Sequence, residues 1–228
     1  MGHASLIPSG TVDARIAVLA SGAGTNLQAL IEDPHVGPSI AVVVSDNPMA
    51  GALARARARG VKAVVLDPAH YPSRADFDHA LTLLLQDEAV EFLLLAGYMR
   101  ILGAEVVRAF RERILNVHPS LLPAFPGAHA IRDALTWGEK VTGATVHLVD
   151  EEVDHGPIVM QEPVVVLSDD DEVSLHLRIQ SVEHRLFPRA ARLLVEGRLK
   201  VEGRLVHVLE GVRGDEGPST DWGAPGRG

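Results

Sequence analysis

The sequence predicts an α/β fold with a doubly wound, mostly parallel sheet and an antiparallel extension towards the C-terminus. Short apolar, β-branched runs alternate with segments of helical periodicity through the first half of the chain, which is typical of βαβ units. The run at 92–97 has no polar alternation, as expected of a strand buried on both faces of a parallel sheet. After residue 137 the pattern changes to strand-like runs separated by a turn, which indicates antiparallel pairing.

The first half contains five predicted strands and the helices that connect them. Each strand is a run of branched apolar residues that ends near Gly, Asp or Pro, which favour turns. Gly60 is placed to end the second helix, and Ser73 is placed to cap the third. The predicted strands span residues 15–20, 39–45, 62–67, 92–97 and 114–118, and the predicted helices span residues 27–33, 51–59 and 73–87.

In the second half we predict a helix at 131–137, strands within 142–150 and 157–166, and a final helix at 172–196. Pro188 lies inside the last helix and is expected to kink or divide it, because proline lacks the backbone N–H. These elements predict a single domain over residues 15–209. Residues 1–14 are predicted to be a flexible leader, and the Gly/Pro-rich residues 210–228 a disordered tail.

Composition excludes several classes of function. The chain has 21 basic and 30 acidic residues, a formal net charge of -9, which argues against a nucleic-acid-coating surface. It has no cysteine, so disulfides and thiolate chemistry are excluded. No apolar run reaches the roughly 18 residues that span a bilayer, and the N-terminus lacks signal-peptide features, so we expect a cytoplasmic protein without membrane contact. The 11 histidines form no recognisable ligand spacing, so no metal is expected.

A glycine-rich turn, residues 21–26 (SGAGTN), joins the first predicted strand to the first helix. Glycines let the backbone approach a ligand closely, and the following helix N-terminus offers free N–H groups to an anion. The motif is not a dinucleotide fingerprint, since Leu27 occupies the position of the third glycine, and it lacks the Lys of a P-loop. A single phosphate is the simplest ligand, although a turn without any ligand has the same pattern.

Two polar residues end the fifth predicted strand. Asn116 and His118 alternate with Val117 and therefore share a face, at the carboxyl end where open α/β sheets bind ligands. A histidine can shuttle a proton or stabilise an oxyanion, and a carboxamide can donate a hydrogen bond to one. A buried pair satisfied by the backbone is the alternative. Asp154 could complete the cluster, but Asp150, Glu151 and Glu152 crowd the same segment and the residues alone do not choose among them.

Taken together, these motifs resemble those of the phosphoribosylglycinamide formyltransferases over about residues 15–199. The resemblance rests on SGAGTNLQAL, LLLAGYMRIL, NVHPSLLPAFPG, VDHGPIVMQ and QSVEH, which occur in the family's order. It implies a Rossmann-like formyltransferase fold. It also implies transfer of the formyl group of 10-formyltetrahydrofolate, without a metal, to the amine of N1-(5-phospho-D-ribosyl)glycinamide in de novo purine (IMP) biosynthesis.

The resemblance also implies roles for individual residues. Asn116 and a protonated His118 would stabilise the tetrahedral oxyanion, and Asp154 would keep the histidine charged and help to relay a proton. The residues matching those that bind the ribonucleotide are Gly24, Thr25, Asn26, Gln180 and Glu183. The residues matching those that contact the folate are Arg74, Met99, Arg100, Ile101, Leu102 and Asn116. Gln180 and Glu183 are three apart on a predicted helix, so they share a face.

The chain departs from the family pattern at Ala23, where a polar residue is common, and at His155, where a small residue is common. His155 could alter the titration of the neighbouring Asp154 or narrow the folate cleft. A formyltetrahydrofolate hydrolase and a non-catalytic folate- or nucleotide-binding module stay open as alternatives. No nucleic-acid partner is expected, and the chain is expected to be a monomer or a homodimer with small-molecule substrates.

Overall fold

A seven-stranded sheet forms the centre of the computed structural model, which describes residues 14–210 and the backbone of residues 4–6. Its strands are β2 (Ile16–Leu19), β3 (Ile40–Ser45), β4 (Lys62–Val65), β5 (Phe92–Leu95), β6 (Ile114–His118), β7 (Val141–Leu148) and β8 (Ile158–Val165). The strand order is β4-β3-β2-β5-β6-β7-β8. Strands β2 to β6 are parallel, and β7 and β8 continue the sheet in antiparallel pairing. The predicted fold class is confirmed.

Helices cover both faces of the sheet, because the central strands are apolar on both sides. In β2, Ile16 and Val18 join one hydrophobic cluster, whereas Ala17 and Leu19 join the other. The first cluster includes residues of α1, α2 and α6, and the second includes residues of α3 and α4. The helices are α1 (Thr25–Glu32), α2 (Gly51–Ala58), α3 (Arg74–Asp87), α4 (Ala104–Ala109), α5 (Ala130–Trp137) and α6 (Glu172–Val195). The short helix α4 was not predicted from the sequence.

Side-chain caps fix the starts of the two longest helices. The Ser73 hydroxyl accepts a hydrogen bond from the Asp76 N–H, which confirms the predicted cap of α3. At α6, Asp171 accepts from the Ser174 N–H while the Ser174 hydroxyl accepts from the Asp171 N–H, a reciprocal capping box. These caps satisfy N–H groups that have no partner inside the helix.

Helix α6 runs through Pro188 without interruption, so this residue does not divide the helix, and the predicted kink stays a prediction. Pro188 is buried, as are the neighbouring Phe187, Ala190 and Ala191. Burial of these side chains against the sheet outweighs the backbone hydrogen bond that proline removes. A single long helix therefore carries Gln180 and Glu183 along the sheet.

A second, smaller sheet has the order β1-β9-β10, formed by β1 (Ala4–Leu6), β9 (Leu199–Glu202) and β10 (Leu205–Val208). Its strands pair antiparallel, with the backbone of residues 4–6 opposite β9. The β9–β10 hairpin was not predicted, and residues 4–6 form a strand inside the predicted leader. The remaining leader residues 1–3 and 7–13, and tail residues 211–228, lie outside the described residues, so these predictions stay predictions. Among the described helices, none has the length and apolarity to span a bilayer.

Candidate active site

Asn116 and His118 lie at the carboxyl end of β6 and contact the same carboxylate. The Asn116 amide nitrogen is 3.4 Å from Asp154 Oδ1, and His118 Nδ1 is 3.4 Å from Asp154 Oδ2. Asp154 lies in the turn between β7 and β8, residues 149–157, which we call the Asp154 loop. The alternation of β6 thus places both polar side chains on one side, as predicted, and the fold brings Asp154 to them.

His118 has a hydrogen-bond acceptor opposite each ring nitrogen. Nε2 is 2.9 Å from the Phe125 carbonyl oxygen, and Nδ1 faces the Asp154 carboxylate. Neither a carbonyl nor a carboxylate can donate, so the arrangement suits an imidazolium with an N–H at both positions. The side chain is 5% exposed, so this charge is shielded from bulk water. The geometry therefore suits the protonated His118 that the resemblance implies.

His147 belongs to the same cluster, although the sequence did not single it out. It lies opposite Asn116 in the β6–β7 register and is 2% exposed. Its Nδ1 donates to the Leu148 carbonyl oxygen at 2.8 Å, and its Nε2 makes a hydrogen bond with the Asn116 amide nitrogen at 3.1 Å and lies 3.7 Å from Asp154 Oδ1. This bond fixes the orientation of the Asn116 carboxamide. The second amide hydrogen has only the long contact with Asp154 and is available to an oxygen in the cavity.

Asp154 is held in place by several neighbours. Its backbone φ is 51°, a left-handed conformation that is uncommon for a residue other than glycine. The Gly127 N–H donates to Asp154 Oδ2 at 2.7 Å. Burial by itself raises the pKa of the carboxyl, but nearby His147 and His118 and the Gly127 N–H outweigh burial and leave the pKa below its ordinary value. Asp154 is therefore ionised at neutral pH. We call Asn116, His118, His147 and Asp154 the catalytic cluster.

The Pro-rich loop after β6, residues 119–127, is supported by a buried polar network. The Thr145 hydroxyl donates to the Ser120 carbonyl at 2.6 Å and accepts from the Leu122 N–H at 3.1 Å. The Gln161 amide donates to the Leu122 carbonyl at 2.8 Å and to the Thr145 hydroxyl at 2.9 Å. Side chains of β7 and β8 thereby fix the loop that presents the Phe125 carbonyl and the Gly127 N–H to the catalytic cluster.

A cavity of about 380 Å³ opens beside the catalytic cluster. Its lining is mainly apolar and includes residues of β5, α4 and the Asp154 loop. Five predicted folate-contacting residues line it, namely Met99, Arg100, Ile101, Leu102 and Asn116. Arg74 lies outside the lining. Its guanidinium donates to the Ile101 carbonyl at 2.9 Å and lies 3.6 Å from Asp78, so it supports the cavity wall.

The glycine-rich turn contacts α6 across a long sequence separation. The Gln180 amide donates to the Thr25 hydroxyl at 2.8 Å, and the Asn26 amide donates to Glu183 Oε2 at 2.9 Å. Gly24 has a φ of 76°, and a Cβ there would lie 2.6 Å from Ala52 Cα, so only glycine fits. The five residues that the resemblance assigns to the ribonucleotide therefore lie in one contiguous group, which we call the loop cluster.

Two buried polar groups in the loop cluster have too few favourable partners to offset the cost of their burial. Glu183 is 5% exposed, and burial raises its pKa against the opposing effects of the Asn26 amide and of His176 and His118. Within the described part of the chain, the buried Asn26 Oδ1 has no hydrogen-bond partner. Helix α6, which carries Glu183, also contacts β6, the strand that carries His118, so the loop cluster lies close to the catalytic cluster.

Ser21 connects the glycine-rich turn to the cavity wall formed by the segment after β5. Its N–H donates to the Gly97 carbonyl at 3.1 Å, and its hydroxyl accepts from the Met99 N–H at 2.9 Å. These bonds link the first βα turn to the segment after β5.

In residues 14–210, no three His, Asp or Glu side chains are grouped so as to hold a metal ion.

A family model described as formyl transferase matches residues 14–191, well over half of the chain. A phosphoribosylglycinamide formyltransferase of Mycobacterium tuberculosis (strain H37Rv) is 45% identical over 193 residues, covering 84% of this chain and 89% of that protein. The chain belongs to the formyl transferase family. The predicted resemblance is confirmed, and the family region extends from just before β2 into α6, leaving β1, β9 and β10 outside it.

Two further proteins are similar to this chain. The solved glycinamide ribonucleotide transformylase 1 of Symbiobacterium toebii is 52% identical with a TM-score of 0.84, covering 86% of this chain and 94% of that one. The trifunctional purine biosynthetic protein adenosine-3 of Drosophila melanogaster is 45% identical over 188 residues, which cover 80% of this chain. The chain spans only 14% of the length of that trifunctional relative, so the similarity concerns one part of it.

Proposed function

We propose that this chain transfers the formyl group of 10-formyltetrahydrofolate to the amine of N1-(5-phospho-D-ribosyl)glycinamide, a step of de novo purine (IMP) biosynthesis. The convergence of Asn116 and His118 on the Asp154 carboxylate, beside an apolar cavity, carries the proposal. The names of the relatives from Mycobacterium tuberculosis and Symbiobacterium toebii support the choice of acceptor.

In this reaction a bond forms between the amine nitrogen and the formyl carbon, and the bond between that carbon and the folate nitrogen breaks. The formyl oxygen gains negative charge on the way. The Asn116 N–H that makes only the 3.4 Å contact with Asp154 is the donor to this oxygen, and the positive charge of a protonated His118, whose ring nitrogens face Phe125 and Asp154, stabilises it electrostatically. Asp154 keeps His118 charged and directs the proton lost by the amine, through water, towards the folate nitrogen.

On the acceptor side, Gly24, Thr25 and Asn26 bind the ribose phosphate. The N-terminus of α1 begins at Thr25, so its unpaired N–H groups and positive dipole end suit a phosphate. Gln180 and Glu183 contact the ribonucleotide from α6. The buried Glu183 carboxylate has capacity to accept hydrogen bonds from ribose hydroxyls, which would offset the cost of its burial.

On the donor side, Met99, Ile101 and Leu102 form an apolar wall suited to a flat ring system, with Asn116 at the reacting end. Arg100 lies 5.0 Å from the centre of the Phe77 ring, and its guanidinium is available to the acidic part of a folate. Arg74 acts through the Ile101 carbonyl that it holds. The residues around the cavity therefore fit the co-substrate, and the proposed chemistry uses no metal.

The remaining sequence predictions belong to the same proposal. Residues 15–209 would form one formyltransferase domain that acts in the cytoplasm on small-molecule substrates, as a monomer or a homodimer, without nucleic acid. The acidic net charge of -9 agrees with a chain that does not bind nucleic acid generally.

Absorbance-monitored loss of the formyl group from a 10-formylfolate donor, with and without glycinamide ribonucleotide, tests the proposal. We expect turnover only when the ribonucleotide is present. Equal turnover without it would instead indicate a hydrolase, and donor binding without turnover would indicate a binding module. His118→Ala serves as the matched inactive control, because it should abolish the ribonucleotide-dependent rate while leaving the loop cluster intact.

A further inference from the structure

The β9–β10 hairpin contacts the Asp154 loop although it lies outside the region matched by the family model. The contact is made by Arg204, which immediately precedes β10. One guanidinium nitrogen donates to the carbonyl oxygen of His155 at 2.7 Å, and the other lies 3.1 Å from His155 Nε2. The hairpin is therefore hydrogen-bonded to the backbone one residue after Asp154.

The side chain of His155 takes part in this contact as well. The same guanidinium nitrogen lies 3.5 Å from His155 Nδ1, so Arg204 lies against the imidazole ring as well as against the backbone. Nδ1 lies 2.9 Å from Asp150 Oδ2, to which it donates. Asp150 and His155 thus bridge the Asp154 loop, and Arg204 anchors the bridge to the hairpin. The side chain at position 155, where the chain departs from the family pattern, therefore gives Arg204 a second contact beside the backbone carbonyl.

The Asp154 loop needs such support, because Asp154 has a left-handed backbone. That conformation costs about 1–2 kcal/mol for a residue with a Cβ and persists only where surrounding contacts hold it. On the cavity side, the Asp154 carboxylate is held by Gly127 and approached by Asn116 and His118. On the outer side, the Arg204–His155 contact holds the adjacent peptide. Asp154 is thereby fixed from both directions.

We propose that Arg204 is a positioning residue for Asp154, acting through the His155 carbonyl and ring. It touches neither the cavity lining nor the loop cluster, so its effect on the reaction passes through the geometry of the Asp154 loop. The inference rests on the proposed function for its effect on rate. Its structural part, that Arg204 orders the loop, stands independently.

Arg204→Ala should lower kcat for ribonucleotide-dependent transfer about fivefold, the effect of losing an exposed charged hydrogen bond near a reacting group. The KM for the ribonucleotide should stay within about twofold, because the loop cluster is untouched. Arg204→Lys should recover most of the rate, since an ammonium can still donate to the His155 carbonyl. Lys200→Ala is the matched control: Lys200 lies on the same hairpin and pairs with Glu202, away from the Asp154 loop.

Hydrogen exchange of the backbone amides in residues 149–157 supplies a readout that does not depend on activity. We expect faster exchange there in Arg204→Ala than in Lys200→Ala or the unmodified chain. An unchanged kcat in Arg204→Ala, or a lowered kcat with unchanged exchange in the loop, would overturn the proposal. If the unmodified chain shows no ribonucleotide-dependent turnover, the proposed function fails instead, and the exchange rates alone decide whether Arg204 orders the loop.

Discussion

The catalytic cluster and the loop cluster are neighbours in the site, yet their polar groups are satisfied to different extents. In the catalytic cluster, His118 faces an acceptor at each ring nitrogen, His147 orients Asn116, and Asp154 receives a backbone N–H. In the loop cluster, Glu183 is buried with a raised pKa, and Asn26 Oδ1 has no partner among the described residues. Under the proposed function, the catalytic cluster is a preorganised reaction centre, and the loop cluster is a binding surface that the ligand completes.

This difference has a physical basis. Groups that stabilise a transition state act best when they need no reorganisation during the reaction, so their hydrogen bonds are set beforehand by protein neighbours. Groups that bind a ground-state ligand gain affinity when the ligand supplies their missing partners. The cost of leaving such groups unsatisfied then lowers the stability of the free protein. Substitutions in the two clusters should therefore change different measured quantities.

The largest expected effect is in the catalytic cluster. Asn116→Ala removes one donor to the developing negative charge and should lower kcat about 10²–10³-fold. The KM for the ribonucleotide should change little, because Asn116 does not contact the loop cluster. Steady-state kinetics with both substrates varied measures the two constants. A loss of less than about fivefold in kcat would remove Asn116 from the proposed mechanism.

The next largest effect is expected at the glycine-rich turn. Gly24→Ala should lower the free energy of unfolding by about 2–4 kcal/mol, because it combines a left-handed backbone with a collision against Ala52. Chemical denaturation measures this change.

Substitutions at two other glycines separate the cost of the left-handed backbone from the cost of the collision with Ala52. Gly60 also has a positive φ, but within the described part of the chain nothing lies within 4 Å of an added Cβ, so Gly60→Ala should cost only about 1–2 kcal/mol. Gly22 lies in the turn itself with similar open space, and Gly22→Ala should cost less than either. Equal losses at positions 24 and 60 would show that contact with Ala52 is unimportant.

The smallest effect is expected at Glu183, where one substitution should weaken binding of the ribonucleotide without lowering the stability of the protein. Glu183→Gln should raise the KM for the ribonucleotide about tenfold through loss of a charged acceptor, without lowering the free energy of unfolding at neutral pH. Burial raises the pKa of Glu183, so its contribution to stability is present below the unfolded pKa and is lost as pH rises through the folded pKa. Glutamine has no charge to desolvate and can still accept from Asn26.

The stability of Glu183→Gln relative to the unmodified chain should therefore increase as pH rises through the folded pKa of Glu183. Denaturation at a series of pH values measures this trend. Glu196→Gln, at the exposed C-terminal end of α6, is the matched control and should show no such increase. A destabilised Glu183→Gln at neutral pH would mean that the carboxylate is compensated in the free protein, and the contrast between the two clusters would fail.

The sequence by itself determined the features that depend on local periodicity. Unbroken apolar runs predicted the parallel strands, and the two-residue alternation placed Asn116 and His118 on one side of β6. The three-residue spacing of Gln180 and Glu183 placed them on one face of α6, where they do contact the turn. Each of these inferences uses the geometry of a single element, which a few neighbouring residues fix.

Only the tertiary structure decided which distant groups meet. It brought the Asp154 carboxylate, which the resemblance had already indicated among four neighbouring acids, to 3.4 Å from His118, and it placed His147 opposite Asn116 through the β6–β7 register. It also carried α6 unbroken through Pro188 and brought Arg204 to the Asp154 loop. Strand register, burial and loop contacts depend on packing between segments far apart in the chain, and local spacing contains no information about that packing.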